Sequence, residues 1–261
     1  MYSEGKIWIA KGDERVYLHP SMANRHGLIT GASGTGKTVT MRVISESFSE
    51  AGVPVFFSDM KGDVGGICKA GDDTEKMRKR IDKLGVEGFE FKGFPTEFWD
   101  VFGENGHPIR TTVASMGASL LSRLMGLTAV QTDVLSLVFS ICEDKGWDLI
   151  DSKDLTAVLQ HISVNRNDYI AEYGNMSTQT LGAIQRSVRT LEDEGGDVFF
   201  GEPGLDIYDW MRTDSNGKGI INVLNVGRLA KSPKLYSTFM MWLIQDLFDR
   251  LPEAGDLDKP K

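Results

Sequence analysis

The sequence predicts an α/β fold: a parallel sheet with helices packed on it, preceded by an N-terminal β-hairpin and interrupted by a largely helical insertion. Three stretches carry that prediction. Residues 26–48, HGLITGASGTGKTVTMRVISESF, place a short apolar run, a glycine-rich loop and an amphipathic pattern in succession. Residues 53–59, VPVFFSD, follow as a β-rich apolar run, and strand–helix–strand in this order is a right-handed crossover between parallel strands. Residues 220–226, IINVLNV, lie between Gly219 and Gly227 and are nearly all apolar, as a parallel strand buried on both faces must be.

In chain order, residues 6–10 (KIWIA) and 14–18 (ERVYL) alternate around Lys11-Gly12-Asp13, which predicts a β-hairpin covering a sheet edge. His19-Pro20 breaks the pattern. Gly27-Leu28-Ile29-Thr30 is expected as a strand entering the glycine-rich loop, and Met41, Ile44, Phe48 and Ala51 as the apolar face of the helix leaving it. Phe98 to Phe102 reads as strand-like, with Trp99 in the core. Beyond Pro108 the period becomes helical. Val130, Val134, Leu137, Val138 and Ile141 form one face, Leu155, Val158, Leu159 and Ile162 a second, and Leu181, Ile184, Val188 and Leu191 a third. Ser232 and Pro233 then start a helix to Arg250 that is apolar nearly all round and is expected to be buried. The division expected is a hairpin over 1–20, the first part of the parallel-sheet core over 21–108, a helical insertion over 109–212, and a return strand and helix over 213–261.

Residues 31–38 carry the chemistry. Gly31, Gly36, Lys37 and Thr38 occupy the fixed positions of G-x-x-x-x-G-K-[ST], the P-loop or Walker A motif, with Ala32, Ser33, Gly34 and Thr35 between them. Glycines let successive backbone N–H groups converge on phosphate oxygens, and the helix that follows adds its first-turn N–H groups and the positive end of its dipole. Lys37 is expected to reach the β- and γ-phosphates, and Thr38 to offer its hydroxyl to Mg²⁺. Asp59, at the carboxyl end of the next strand, is a second candidate metal residue; the alternative is an aspartate that caps its own turn.

Composition excludes several classes. The charge is −8 at pH 7, so a surface that binds nucleic acid everywhere is not expected, though a local basic groove is compatible with it. The basic run Lys76 to Lys83 is interleaved with Asp72, Asp73, Glu75 and Asp82 and reads as a solvated helix face. Cys68 and Cys142 are isolated, and the four histidines lack ligand spacing, so neither a disulfide framework nor zinc is indicated. The N-terminus is charged, and no apolar run approaches a membrane span. A cytoplasmic protein without a membrane partner is expected.

With the P-loop, VPVFFSDMKGDVGG, FWDVFGENGHPIR, GAIQRSVRTLEDEGGDVFFGEPGL, GIINVLNV and SPKLYSTFMMWLIQDLFDRLPE together, the chain resembles the HerA-like branch of the HerA/FtsK P-loop ATPases, specifically the bacterial YjgR-like type. The resemblance covers nearly the whole chain. It implies a RecA/HerA-like P-loop NTPase fold, ATP and Mg²⁺ as cofactors, DNA as a candidate partner and a homo-oligomeric ring in the full-length protein. By the resemblance, Asp59, Lys61 and Gly62 match an acidic-x-Lys-Gly turn. Relatives continue past the position of Lys261 into an apolar strand ending in Asp-Glu, the Walker B pair, followed by sensor and arginine-finger segments. Nothing in this chain matches that pair, so no catalytic residue is assigned. The expectation is the N-terminal half of a longer ATPase, with little or no turnover of its own.

The function expected is therefore an ATP-binding domain of a HerA/FtsK-like DNA translocase or helicase. A nucleotide-dependent switch or adaptor without DNA remodelling is the alternative. A small-molecule P-loop kinase is a third reading, but Arg110, Arg123, Arg166, Arg186 and Arg189 form no lid-like cluster in the sequence.

Overall fold

The computed structural model describes residues 1–255 and 257–260. The chain divides into two compact units, residues 1–99 with 206–227 and 252–261, and residues 100–205 with 228–251.

The first unit opens with three short antiparallel strands, β1 (Tyr2–Ser3), β2 (Lys6–Lys11) and β3 (Arg15–Leu18), in the order β1-β2-β3. The expected hairpin is present. It pairs with no strand of the parallel sheet, however; it forms a sheet of its own that packs on helix α1 (Lys37–Glu50). Ile7 and Trp8 are its buried residues. Lys11 and Arg15 donate to the carbonyls of Leu84 and Gly85 at 3.0 and 2.9 Å, placing two cations at the C-terminus of helix α2 (Glu75–Leu84), where the dipole favours them. No residue of α2 is buried.

The parallel sheet is built on β4 (Val55–Asp59) and β7 (Ile221–Asn225), paired from Val55↔Ile221 to Asp59↔Asn225. With β5 (Thr96–Asp100) and β6 (His107–Pro108) the order is β4-β7-β5-β6. Packing covers both faces of β7, and Ile221, Val223 and Leu224 are buried. On one face Ile221 and Val223 pack with Ile67, Phe94, Val55, Phe57 and Phe98. The other carries Phe56 stacked on Trp210 at 4.3 Å between ring centroids, with Trp99 edge-on to Trp210 at 5.6 Å. Asn222 is the polar residue in this layer. Its Oδ1 accepts from the Trp99 indole at 3.0 Å, and its Nδ2 donates to the Trp210 carbonyl at 3.0 Å.

Two expectations around α1 are corrected. Gly27–Thr30 forms no strand; it is exposed, irregular chain with Leu28 at 88 % and Ile29 at 42 % exposure. A strand exists only through paired backbone groups, and this segment pairs with none of the four strands of the sheet, although β4 has a neighbour on one side only. The buried residues of α1 are Ser45, Ser47 and Ser49, not Met41, Ile44 and Phe48, although Ala51 just beyond it is buried. At 100° per residue, Ser45 and Ser49 share one side and Ser47 faces the opposite one. Small side chains on both sides suit a helix that contacts the β1-β2 pair and also β4 and β7. Ser49 donates to the Gly219 carbonyl at 2.6 Å, and Gly219 runs so close to Val53 that a Cβ there would overlap the Val53 carbonyl. Lys259, in the polar tail, donates to the Ala51 carbonyl at 2.7 Å, just past the C-terminus of α1.

The second unit is helical: α3 (Val113–Met125), α4 (Ala129–Lys145), α5 (Ser152–Val164), α6 (Arg166–Tyr173), α7 (Thr178–Leu191), the short α8 (Asp197–Phe199) and α9 (Pro233–Arg250). Their starts are legible as caps. Thr128 with Gln131 and Asp151 with Asp154 form capping boxes, and Ser177 accepts from the Thr180 N–H. The apolar faces expected for α5 and α7 are buried, and of that for α4 only Val130 is fully exposed. Helix α9 lies in this unit against α3, with Phe239 and Trp242 packed on Phe199 at 5.7 and 6.1 Å. It buries one face only. Leu235, Phe239, Trp242 and Leu243 are covered, whereas Met241, Ile244 and Phe248, the last at 81 % exposure, are not. Composition made α9 apolar all round; within this unit, one face finds neighbours.

Two predictions follow from the first unit. Asn222→Leu removes the acceptor of the Trp99 indole and the donor to the Trp210 carbonyl together, and should cost about 2 kcal/mol or more in denaturant unfolding. Glu50 concerns pH. Burial alone would raise its pKa, but Lys218 and Lys92, each 2.8 Å away, outweigh that and hold it below the usual carboxylate value. A depressed carboxylate stabilises the fold above its unfolded pKa and loses that contribution as the pH falls through its folded pKa. Glu50→Gln should therefore cost about 1 kcal/mol at pH 7, and the difference from the unsubstituted chain should shrink toward zero in acid-titrated unfolding curves.

Candidate phosphate-binding site

The loop between the exposed lead-in and α1 is closed by its own side chains. Ser33 and Gly34 make a turn in which the Thr35 N–H approaches the Ala32 carbonyl at 3.4 Å, and Gly34 has φ +80°, the pattern of a type II turn. Gly36, at φ +98°, is the N-cap of α1 and sits in the left-handed region that favours glycine. The first intrahelical bond runs from the Thr40 N–H to the Gly36 carbonyl at 2.9 Å, so the N–H groups of Lys37, Thr38 and Val39 have no acceptor within the helix. Such a helix start, with glycines before it, attracts anions.

Lys37 bends back across this loop. Its Nζ donates to the Gly31 carbonyl at 2.6 Å and to the Ala32 carbonyl at 2.8 Å, which brings an ammonium, two loop carbonyls and the helix N-terminus into one exposed place. Thr35 Oγ1 donates to the same Ala32 carbonyl at 2.8 Å. A Cβ on Gly31 would lie 2.6 Å from that hydroxyl, so the loop as folded admits only glycine at this position without a shift. Thr38 follows in the first turn of α1, half-buried. The structure thus brings together Gly31 to Thr38, with a contribution from Thr35 that the motif leaves unassigned.

Asp59 ends β4 and is buried. Its Oδ1 accepts from the N–H groups of Lys61 and Gly62 at 3.1 and 2.9 Å, and its Oδ2 from Val64 at 2.9 Å. A carboxylate offers about four lone-pair sites, and the turn takes three of them. Beside it in register, Asn225 ends β7, and its Oδ1 accepts from Gly227 at 3.0 Å. Both strand ends are closed by side chains folded onto the following turn, a local pattern that Asp-x-Lys-Gly and Asn-x-Gly spell out. Among the described residues no group of three or more His, Cys, Asp or Glu side chains is placed to hold a metal ion. Nor is any helix long and apolar enough to cross a membrane.

Three arginines of the second unit have local partners. Arg110 donates to the Glu202 carbonyl at 3.0 Å, and Arg189 faces Glu192 and Asp193 at 3.7 and 3.9 Å. Arg228 pairs with Glu104 and lies over the Phe102 ring at 4.0 Å from its centroid.

No curated protein matches this chain. The sequence model of the family described as Helicase HerA-like C-terminal matches residues 5–261. That description speaks of a C-terminal domain, so the reading of this chain as the N-terminal portion of a longer ATPase does not follow from it. A match over nearly the whole length, on an α/β fold with a glycine-rich loop ahead of α1, shows that the chain belongs to the HerA-like helicase family.

Proposed function

We propose that this chain binds Mg-ATP or Mg-ADP through Gly31, Ala32, Ser33, Gly34, Thr35, Gly36, Lys37 and Thr38, as the nucleotide-binding part of a HerA/FtsK-type DNA translocase or helicase that works as a homo-oligomeric ring. The observation that carries the reading is the position of Lys37, whose ammonium spans the loop carbonyls of Gly31 and Ala32 next to three helix-start N–H groups without intrahelical acceptors. These residues fit a polyphosphate. The N–H groups would bind its oxygens, Lys37 would neutralise charge as a mobile cation, and exposure leaves the loop open to a diffusing ligand. Bound Mg²⁺ would neutralise phosphate charge and polarise the terminal phosphate; Thr38 would contribute its hydroxyl, and Asp59, mostly engaged by its turn, would act through water.

Of the five arginines a small-molecule kinase could use against the transferred phosphate, Arg110 and Arg189 have local partners within the helical unit, which weighs against that alternative. DNA contact is a family-level expectation, and the net charge of −8 restricts it to a local surface.

Calorimetry should show Lys37→Ala weakening Mg-ADP binding by about tenfold to a hundredfold, the range for charged hydrogen bonds. Equal affinity of the two proteins would remove the P-loop reading.

Turnover is a separate matter. Hydrolysis needs a group that orients the attacking water and a cation against the terminal phosphate. Neither strand end supplies an Asp-Glu pair, since Asp59 is followed by Met60 and Asn225 by Val226. Steady-state phosphate release by this chain should lie far below about 10 s⁻¹, a common enzyme rate, with or without DNA. DNA-stimulated release near that rate, abolished by Lys37→Ala, would place the catalytic acid within these residues.

A further inference from the structure

The Ala32 carbonyl receives three donors: the Lys37 ammonium at 2.8 Å, the Thr35 hydroxyl at 2.8 Å and the Thr35 N–H at 3.4 Å. Two of the three come from one residue, at a position where the P-loop motif accepts any amino acid. We propose that Thr35 is a positioning residue of the phosphate loop: its hydroxyl holds the Ala32–Thr35 turn in shape when Lys37 leaves the Ala32 carbonyl for a phosphate. This rests on the phosphate-binding reading of residues 31–38.

The argument is one of hydrogen-bond accounting. A cation that bridges loop carbonyls stabilises the ligand-free loop, so reaching a phosphate requires it to give up some of that bonding. If Lys37 were the sole side chain on Ala32, its departure would leave the turn held by one long N–H contact, in a segment with two glycines of positive φ and high backbone freedom. Thr35 Oγ1 keeps the carbonyl engaged, and the loop need not be reordered at the cost of binding energy. The same hydroxyl faces Gly31, where a Cβ would come within 2.6 Å of it. A glycine at position 31 therefore leaves the hydroxyl room to reach the Ala32 carbonyl. Valine keeps the shape of threonine and loses the hydroxyl, whereas serine keeps the hydroxyl and loses only a methyl group.

The test compares wild type, Thr35→Val, Thr35→Ser and Lys37→Ala by calorimetry, with Mg²⁺ present and ADP or inorganic pyrophosphate as the probe. Thr35→Val should weaken both probes by about three- to tenfold, the range for one net hydrogen bond, because the effect lies in the phosphate-binding loop and not at the nucleoside. Thr35→Ser should restore affinity to within about twofold. The thermal midpoint of the ligand-free protein should be unchanged in both Thr35 variants, since the turn is exposed. Wild-type affinity in Thr35→Val, with binding lost in Lys37→Ala, would overturn the role of Thr35 alone. Weakening of ADP but not of pyrophosphate, or no rescue by serine, would also overturn it. Wild-type affinity in Lys37→Ala would remove the phosphate-loop reading and this inference with it.

Discussion

The parallel pairing of β7 with β4 is the contact on which the first unit depends. Val55 and Ile221 are in register although more than 160 residues lie between them, so the sheet forms only after a long loop has been closed. The closure entropy grows slowly with loop length and is offset by burial on two faces of one strand. Ile221, Val223 and Leu224 leave water together, and Asn222 ties two tryptophans into the same layer. A helical unit of about a hundred residues can sit between β5 and β7 because the strands themselves, and not their connection, hold the sheet.

The candidate site inherits its position from this sheet. Helix α1 runs from the glycine-rich loop to Glu50, returns the chain into β4 and packs on β4 and β7. Serines on opposite sides of α1 allow it to contact a small antiparallel sheet as well as β4 and β7. Glu50, with Lys92 and Lys218 on its carboxylate, ties the last turn of α1 to the segment before β5 and to the approach to β7. The loop at the other end is left exposed, and its shape comes from local bonds among Gly31, Ala32, Thr35 and Lys37.

Much of the chain could be read directly from residue order because local chemistry was decisive. The capping boxes at Thr128 and Asp151, the apolar faces of α5 and α7, the N-terminal hairpin and the doubly buried β7 each depend on neighbours within a few positions or on a simple alternation. The glycine-rich loop was legible for the same reason: its motif is a run of eight residues. Asp59 was legible only as a choice between metal and turn, since both use a carboxylate after a strand, and the structure shows the three N–H groups that the turn supplies.

By itself, then, the order of residues determined the α/β class, the phosphate-loop motif, the position of α1 and the helical character of the middle of the chain, because propensity, capping and periodicity act over short distances. For the segment before the glycine-rich loop and for α9, tertiary structure alone decided which apolar residues were covered. Leu28 and Ile29 have strand-like composition and no partner strand, and α9 has apolar residues all round and neighbours on one side. Burial and strand formation are properties of pairs. A residue's own hydrophobicity states what it would gain by contact, but only the packed chain states whether the contact is made.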